Sequence, residues 1–250
     1  MSEVSVLLVG ESWRSLQIDI KGFDFFSRSS YHEAIDPLKN ALEAGDINTD
    51  YIPTTMAAQQ FPTNAEELTE YDVVVLSDIG YNTIAIPPST FDDFEQVTNR
   101  IQLIEDYVRA GGGLVMIGGY LSYQGFNAKA NYKGTAIERA LPVTLQPYDD
   151  RVERSDGVYP EVVDSEQEIV SGISTDWPHL LGYNKVRVDE DASEIIRVGD
   201  DPLLVIGEHG DGRSAAFTSD CAPHWGSPEF IEWNHYQMFW TNLINWLAKR

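Results

Sequence analysis

QVTNRIQLIEDYVRAGGGLVMIGGYLSYQG, residues 96–125, decides how this chain is read. Val97, Ile101, Ile104 and Val108 recur at the three- and four-residue spacing of a helix face, and Gly111–Gly113 stop that helix. LVMIG then runs apolar without alternation, as a strand buried on both faces does, and it ends in a glycine turn at Gly118 and Gly119. A helix that returns directly into a doubly buried strand is the repeating unit of a parallel sheet. The turn after the strand carries Tyr120 where a reactive Ser or Cys would be placed.

The same unit recurs outward from this stretch. VSVLLVG (4–10) reads as a first strand. DPLKNALEAGD (36–46) reads as a helix, with Pro37 at its first position, Leu38, Ala41 and Leu42 on one face, and Gly45 as its stop. INTDYIP (47–53) and YDVVVLSDIG (71–80) supply two further strands. PLLVIGEHGDGRSAAFTSD (202–220) reads as a hairpin around GDG. A last helix at about 229–247 carries Phe230, Trp233, Trp240, Leu243, Ile244 and Leu247 on one broad face. Residues from about 141 to 198 lose this regularity and are expected to form a β-rich insertion. In SSYHEA, Ser30 and Glu33 have the spacing of a helix capping box, and His32 beside them can lean toward the cleft. His235 is placed on the last helix, and His179 and His209 on surface loops. The expectation is one doubly wound α/β domain over 1–250 with a mainly parallel central sheet.

Composition excludes several classes of partner. Forty acidic residues against 17 basic ones give a formal charge of −23, which repels nucleic acid and anionic lipid. No apolar run approaches the roughly 20 residues of a membrane span, and no basic segment precedes the first apolar run. A single cysteine, Cys221, rules out an internal disulfide and a cysteine zinc cluster, so a reducing cytoplasm is the expected compartment.

Ligands of open α/β sheets bind beyond the carboxyl ends of the strands. Those positions hold Glu11, Ser12 and Trp13; Ser77, Asp78 and Tyr81; Gly119, Tyr120 and Ser122; and Asp220, Cys221, His224 and Trp225. Glu11, Asp78, Tyr120, Asp220 and His224 are expected to share one pocket, whose acidic groups should raise the pKa of His224. Asp220 and His224, joined by Glu11 or Asp78, have ligand types that suit zinc or manganese, but their spacing is not diagnostic and a hydrogen-bonded pair is the favoured explanation, so no cofactor is expected.

GGYLSYQ (118–124) resembles the G-x-C-x-G-x-Q elbow of class I glutamine amidotransferases, with Gly118 and Gln124 in place, Tyr120 at the cysteine and Ser122 at the second glycine. The layout from LLVGESW (7–13) through KGTAIERALPV (133–143) to AFTSDCAPHWG (216–226) is similar to glutamine amidotransferase-like proteins related to the trehalose-utilisation type of domain. The resemblance implies a flavodoxin-like fold and a strained elbow at Tyr120. It implies no glutamine hydrolysis, because a phenol is a poor nucleophile at neutral pH and CAPHWGSPE offers only His224, followed by Pro228 and Glu229, for the family's His-Pro-Glu segment. Cys221 is a substitute nucleophile by residue type only. Three readings stay open: a domain binding a small polar metabolite such as a sugar derivative; a hydrolase or other enzyme using His224 and Asp220; and an assembly protein whose aromatic surface contacts further copies of itself.

Overall fold

A computed structural model describes residues 3–250. The first half of the chain forms β1 (Val4–Gly10), β2 (Ser12–Lys21), β3 (Asp24–Glu33), α1 (Asp36–Ala44), β4 (Ile47–Pro53), α2 (Thr54–Gln60), α3 (Ala65–Leu68), β5 (Val73–Ser77), α4 (Tyr81–Ala85), α5 (Pro88–Asp92), α6 (Arg100–Arg109) and β6 (Gly113–Ile117). The second half adds α7 (Ala136–Ala140), β7 (Val143–Leu145), β8 (Arg151–Val158), β9 (Glu161–Val162), β10 (Leu180–Asn184), β11 (Val186–Val188) and β12 (Ser193–Val198). It closes with β13 (Asp201–His209), β14 (Gly212–Phe217), α8 (Pro228–Ile231) and α9 (Tyr236–Leu247). No helix among the described residues is long and apolar enough to cross a membrane.

Eight strands form the central sheet in the order β4-β1-β5-β6-β14-β13-β12-β9. The first five run parallel and the last three antiparallel. Alternation along each central strand feeds two cores. Val6 and Leu8 of β1, Val73 and Val75 of β5, and Val115 and Ile117 of β6 pack under α1 and α9. Leu7 and Val9, Val74 and Leu76, and Leu114 and Met116 pack under α2, α6 and α7 on the other face. Each such side chain contributes about 1.5–3 kcal/mol, which is why continuous apolar runs select this layered architecture. The aromatic face of α9 is core, with Phe239 and Trp240 packed on Phe217 of β14.

Several expectations are corrected. Residues 12–33 form an antiparallel hairpin, so Ser30 caps no helix and its hydroxyl meets His32 Nε2 instead. Leu16, Ile18 and Ile20 alternate with Gln17 and Asp19 at the period of a strand, and that pattern outweighs the capping spacing. Asn99 caps α6 by accepting from the Ile101 and Gln102 N–H groups, which leaves Val97 outside the helix and exposed. The last helix is broken between Ile231 and Tyr236, and His235 is the residue before α9. His209 ends β13, and its Nε2 lies 3.5 Å from the Glu105 carboxylate. Within 141–198, β9 and β12 extend the central sheet, while β7 pairs β11 and β8 pairs β10.

Gly10 ends β1 at φ +126°, and a Cβ there would stand 1.6 Å from the Ser77 carbonyl oxygen. Both the backbone angle and the contact demand glycine. Gly10→Ala is therefore expected to destabilise the protein by about 3–5 kcal/mol, read as a lower urea midpoint with an unchanged slope.

Candidate functional site

β1, β5, β6 and β14 deliver their carboxyl ends to one edge of the sheet. Two carboxylate residues there hold left-handed backbone, Glu11 at φ +46° and Asp78 at φ +42°, a conformation costing roughly 1–2 kcal/mol for a side chain of this kind. Neighbouring bonds hold both. The Glu11 N–H donates to the Ser77 carbonyl at 3.0 Å, and the Ser77 hydroxyl donates to the Glu11 carboxyl. Asp78 accepts from the Leu121 N–H at 2.6 Å, and its own N–H donates to Ser122 Oγ at 3.2 Å. A Cβ on Gly119 would lie 2.7 Å from Asp78 Oδ1, so the turn needs glycine where Asp78 reaches it. Tyr120 itself has no left-handed backbone; the strain expected there sits at Glu11, at Asp78 and, within the turn, at Tyr123 with φ +54°.

The turn is fixed from the far side by two residues that sequence reasoning missed. Asn184 accepts from the Gly119 N–H and donates to Asp150, whose carboxylate also accepts from the Gln124 and Gly125 N–H groups. Both lie in the 141–198 stretch, where no local pattern marks them.

A cavity of about 470 Å3 opens at this edge. Glu11, Asp78 and Asp220 supply its carboxyls, Trp13, Tyr120 and Phe126 its aromatic walls, and His224, Lys129, Leu121 and Pro223 the rest of its lining. Glu11, Asp78, Tyr120, Asp220 and His224 thus meet, although they span more than two hundred positions. Phe126 and Lys129 were not anticipated; their one signal is that they directly follow the turn.

The other sequence candidates lie outside the lining. Ser12 is buried at the start of β2, with its N–H donating to Thr54 Oγ1. Tyr81 opens α4 and meets Tyr132 edge-on. Ser122 is buried and donates to the Ile117 carbonyl. Trp225 is buried behind His224, with its rings stacked on the imidazole and its indole N–H donating to Glu153. His32 stacks on Trp13 from the hairpin. Cys221 is fully buried behind the carboxyls, 3.6 Å from the Ser77 hydroxyl.

Burial sets the electrostatics. It pushes the pKa of Glu11 well above the ordinary carboxyl value, and Asp220 and Asp78 push further, against the Ser77 hydrogen bond. Burial and then Asp78 do the same to Asp220. Burial also raises Asp78, against the Leu121 N–H. Each therefore gives up its proton at a higher pH than an exposed carboxyl does, and because the charge of Asp78 raises both Glu11 and Asp220, the three release their protons in sequence and not together. The Cys221 thiol is pushed well up by burial, Glu11 and Asp220, surroundings opposite to those of a nucleophilic thiolate. His224 corrects the expectation of a raised pKa. Its Nδ1 lies 3.6 Å from Asp220 Oδ2, yet burial lowers its pKa and outweighs the raising effects of Glu153 and Asp78. Burial, followed by Glu153, raises the Tyr120 phenol, whose ring packs edge-on against His224 at 4.2 Å.

Glu11, Asp220 and Cys221 bring one ligand atom each within 4.8 Å of the others, enough to hold a metal ion. All three surroundings favour the protonated ligand, so an ion would have to displace protons to bind there.

A family model described as "Putative glutamine amidotransferase" (GATase1_like) matches residues 5–249. The chain belongs to this family. Among solved structures, the cytoplasmic protein STM1381 of Salmonella typhimurium LT2 is 44% identical, with 98% of this chain and 99% of that one covered and a TM-score of 0.94. The cytoplasmic protein STM3548 of Salmonella typhimurium is 42% identical, with 97% and 98% covered and a TM-score of 0.94. No curated protein matches the chain. The family match accordingly spans residues 5–249 of this amidotransferase-like chain.

The raised pKa of Glu11 fixes a sign for stability. The folded state holds that proton more tightly than the unfolded chain, so stability falls as pH rises from the ordinary glutamate value of 4.5 toward the folded one. Glu11→Gln, which cannot ionise, is expected to melt a few degrees higher than the wild type at neutral pH and to lose that advantage below pH 4.5. Calorimetry across the pH range checks both halves.

Proposed function

We propose that the cavity binds a small polyhydroxylated metabolite such as a sugar derivative, and that the chain does not hydrolyse glutamine. The observation that carries the first part is the convergence of three carboxyls and three aromatic walls on one cavity, the carboxyls with pKa values raised by burial. A protonated carboxyl donates through its O–H and accepts through its other oxygen, which is what neighbouring hydroxyls on a ring require. Three ionised carboxylates would instead select a cation. Trp13, Tyr120 and Phe126 offer apolar surface to the C–H faces of such a ring. The volume lies within the range of small-molecule sites.

The second part rests on the missing thiolate. Tyr120 stands at the position of the elbow cysteine in the family motif, with a phenol whose pKa is raised rather than lowered. Cys221 is buried and shielded from ionisation. The strand order β4-β1-β5-β6-β14 supports a flavodoxin-like ancestry for the scaffold. A cytoplasmic location belongs to the same reading, in line with the description of both Salmonella relatives.

One observation favours catalysis on the bound molecule as a second reading. His224, its pKa lowered by burial, and Asp220, its pKa raised by burial, face the same cavity with Nδ1 and Oδ2 3.6 Å apart, shifts in the directions that suit a base beside an acid. Turnover that rises with deprotonation of His224 and is abolished in His224→Ala separates this reading from binding alone.

A panel of monosaccharides, disaccharides and polyols tests the main reading by thermal shift. A true ligand at about a hundred times its Kd adds about 2.7 kcal/mol, roughly 5–10 °C for a chain of this size. Trp13→Ala is expected to weaken that ligand roughly tenfold by calorimetric titration. A panel without any stabilising member, or a shift indifferent to Asp78→Asn and Trp13→Ala alike, rules the reading out.

Incubation with glutamine is expected to release no ammonia above the buffer rate. Release that disappears in Cys221→Ala would overturn the inactivity.

A further inference from the structure

Beyond its root, the β2–β3 hairpin is exposed on both faces, and one of them is apolar. Pairing of Leu16 with Ser29, Ile18 with Ser27, and Ile20 with Phe25 puts these six on the same side of the ribbon. Leu16 is 68% exposed, Ile20 75% and Phe25 74%. The opposite side carries Trp13 at the root and Phe26 near the turn, and its polar groups are bonded among themselves, with Arg28 donating to Gln17, Gln17 donating to Asp19, and Lys21 lying over the Phe26 ring. A lone two-stranded hairpin is marginally stable in water, and an amphipathic one needs its apolar side covered.

We infer that a second copy of this chain covers that face, the two hairpins packing apolar side to apolar side about a two-fold axis. Three features fix this occupant. The face is self-complementary: Leu16, Ile18 and Ile20 form a ridge along one strand, and Ser27 and Ser29 form a furrow beside it, so an identical ribbon turned by a two-fold axis sets ridge into furrow. The hairpin is electrically neutral, since Arg14, Lys21 and Arg28 balance Asp19, Asp24 and Glu33, whereas the whole chain carries −23. Two strongly acidic bodies repel, and the neutral hairpin is where two copies approach without that penalty. The apolar side, with Phe23 at the turn and Tyr31 near the root, presents on the order of 900 Å2, against about 800 Å2 per partner in a standard interface. At the root, Trp13 lines the cavity and His32 stacks on it, so pairing of the hairpins also holds one wall of the site.

Sedimentation equilibrium of the purified full chain tests the inference. The wild type is expected to sediment at twice 28.1 kDa, and Ile18→Glu to weaken association by at least about a hundredfold. Gln17→Ala, on the polar side, is expected to keep the dimer. A chain in which an Asn-Gly turn replaces residues 14–31 should be monomeric with an unchanged far-ultraviolet circular dichroism spectrum of the body, which separates loss of pairing from loss of folding. A monomeric wild type overturns the inference, as does a dimer that survives both Ile18→Glu and the shortened hairpin. A monomeric wild type that pellets with phosphatidylcholine vesicles overturns it in favour of a lipid surface.

Discussion

Strands buried on both faces can release the chain only at their ends, and β1, β5, β6 and β14 all run the same way. That constraint gathers Glu11, Asp78, Tyr120 and Asp220 at one edge of the sheet. Everything particular to the site follows from how tightly these ends are brought together. Gly10 lets β1 close onto Ser77, and Gly119 lets the turn close onto Asp78. The closeness excludes water, and dehydration rather than any single charge then dominates the chemistry of the three carboxyls, the thiol and the imidazole.

The parts legible in the sequence are those whose signal is local and continuous. VSVLLVG, VVVLS and GLVMI read as buried strands because their runs are apolar and do not alternate with polar residues beyond Ser5 and the terminal Ser77, and the glycine stop before the last of these fixes its start. Topology then converts strand ends into a shared site without knowledge of any contact. Asp150 and Asn184 escaped because their role depends on partners 25 to 65 positions away, and nothing in TLQPYDDR or LLGYNK marks them. The His224 pKa was misjudged for a related reason: sequence shows the sign of neighbouring charges but not how far burial neutralises them.

The hairpin was misread because Ser30 and Glu33 imitate a helix start, whereas the alternation of Leu16, Ile18 and Ile20 faces no core of this chain. An apolar alternation normally announces which side is inward. Here the alternating residues are exposed, and that exposure is the ground for inferring a second copy against them.

Cys221 has a practical consequence as the sole thiol. It lies beneath the carboxyls, with Tyr236 donating to its carbonyl, and is closed to solvent. A thiol reagent can reach it only when the edge of the central sheet opens. Its labelling rate is therefore a built-in clock for that opening, reporting the free energy of the excursion when closing outpaces the reagent and the opening rate itself when it does not. Because the surface carries no competing thiol, the clock can be read on the unmodified protein.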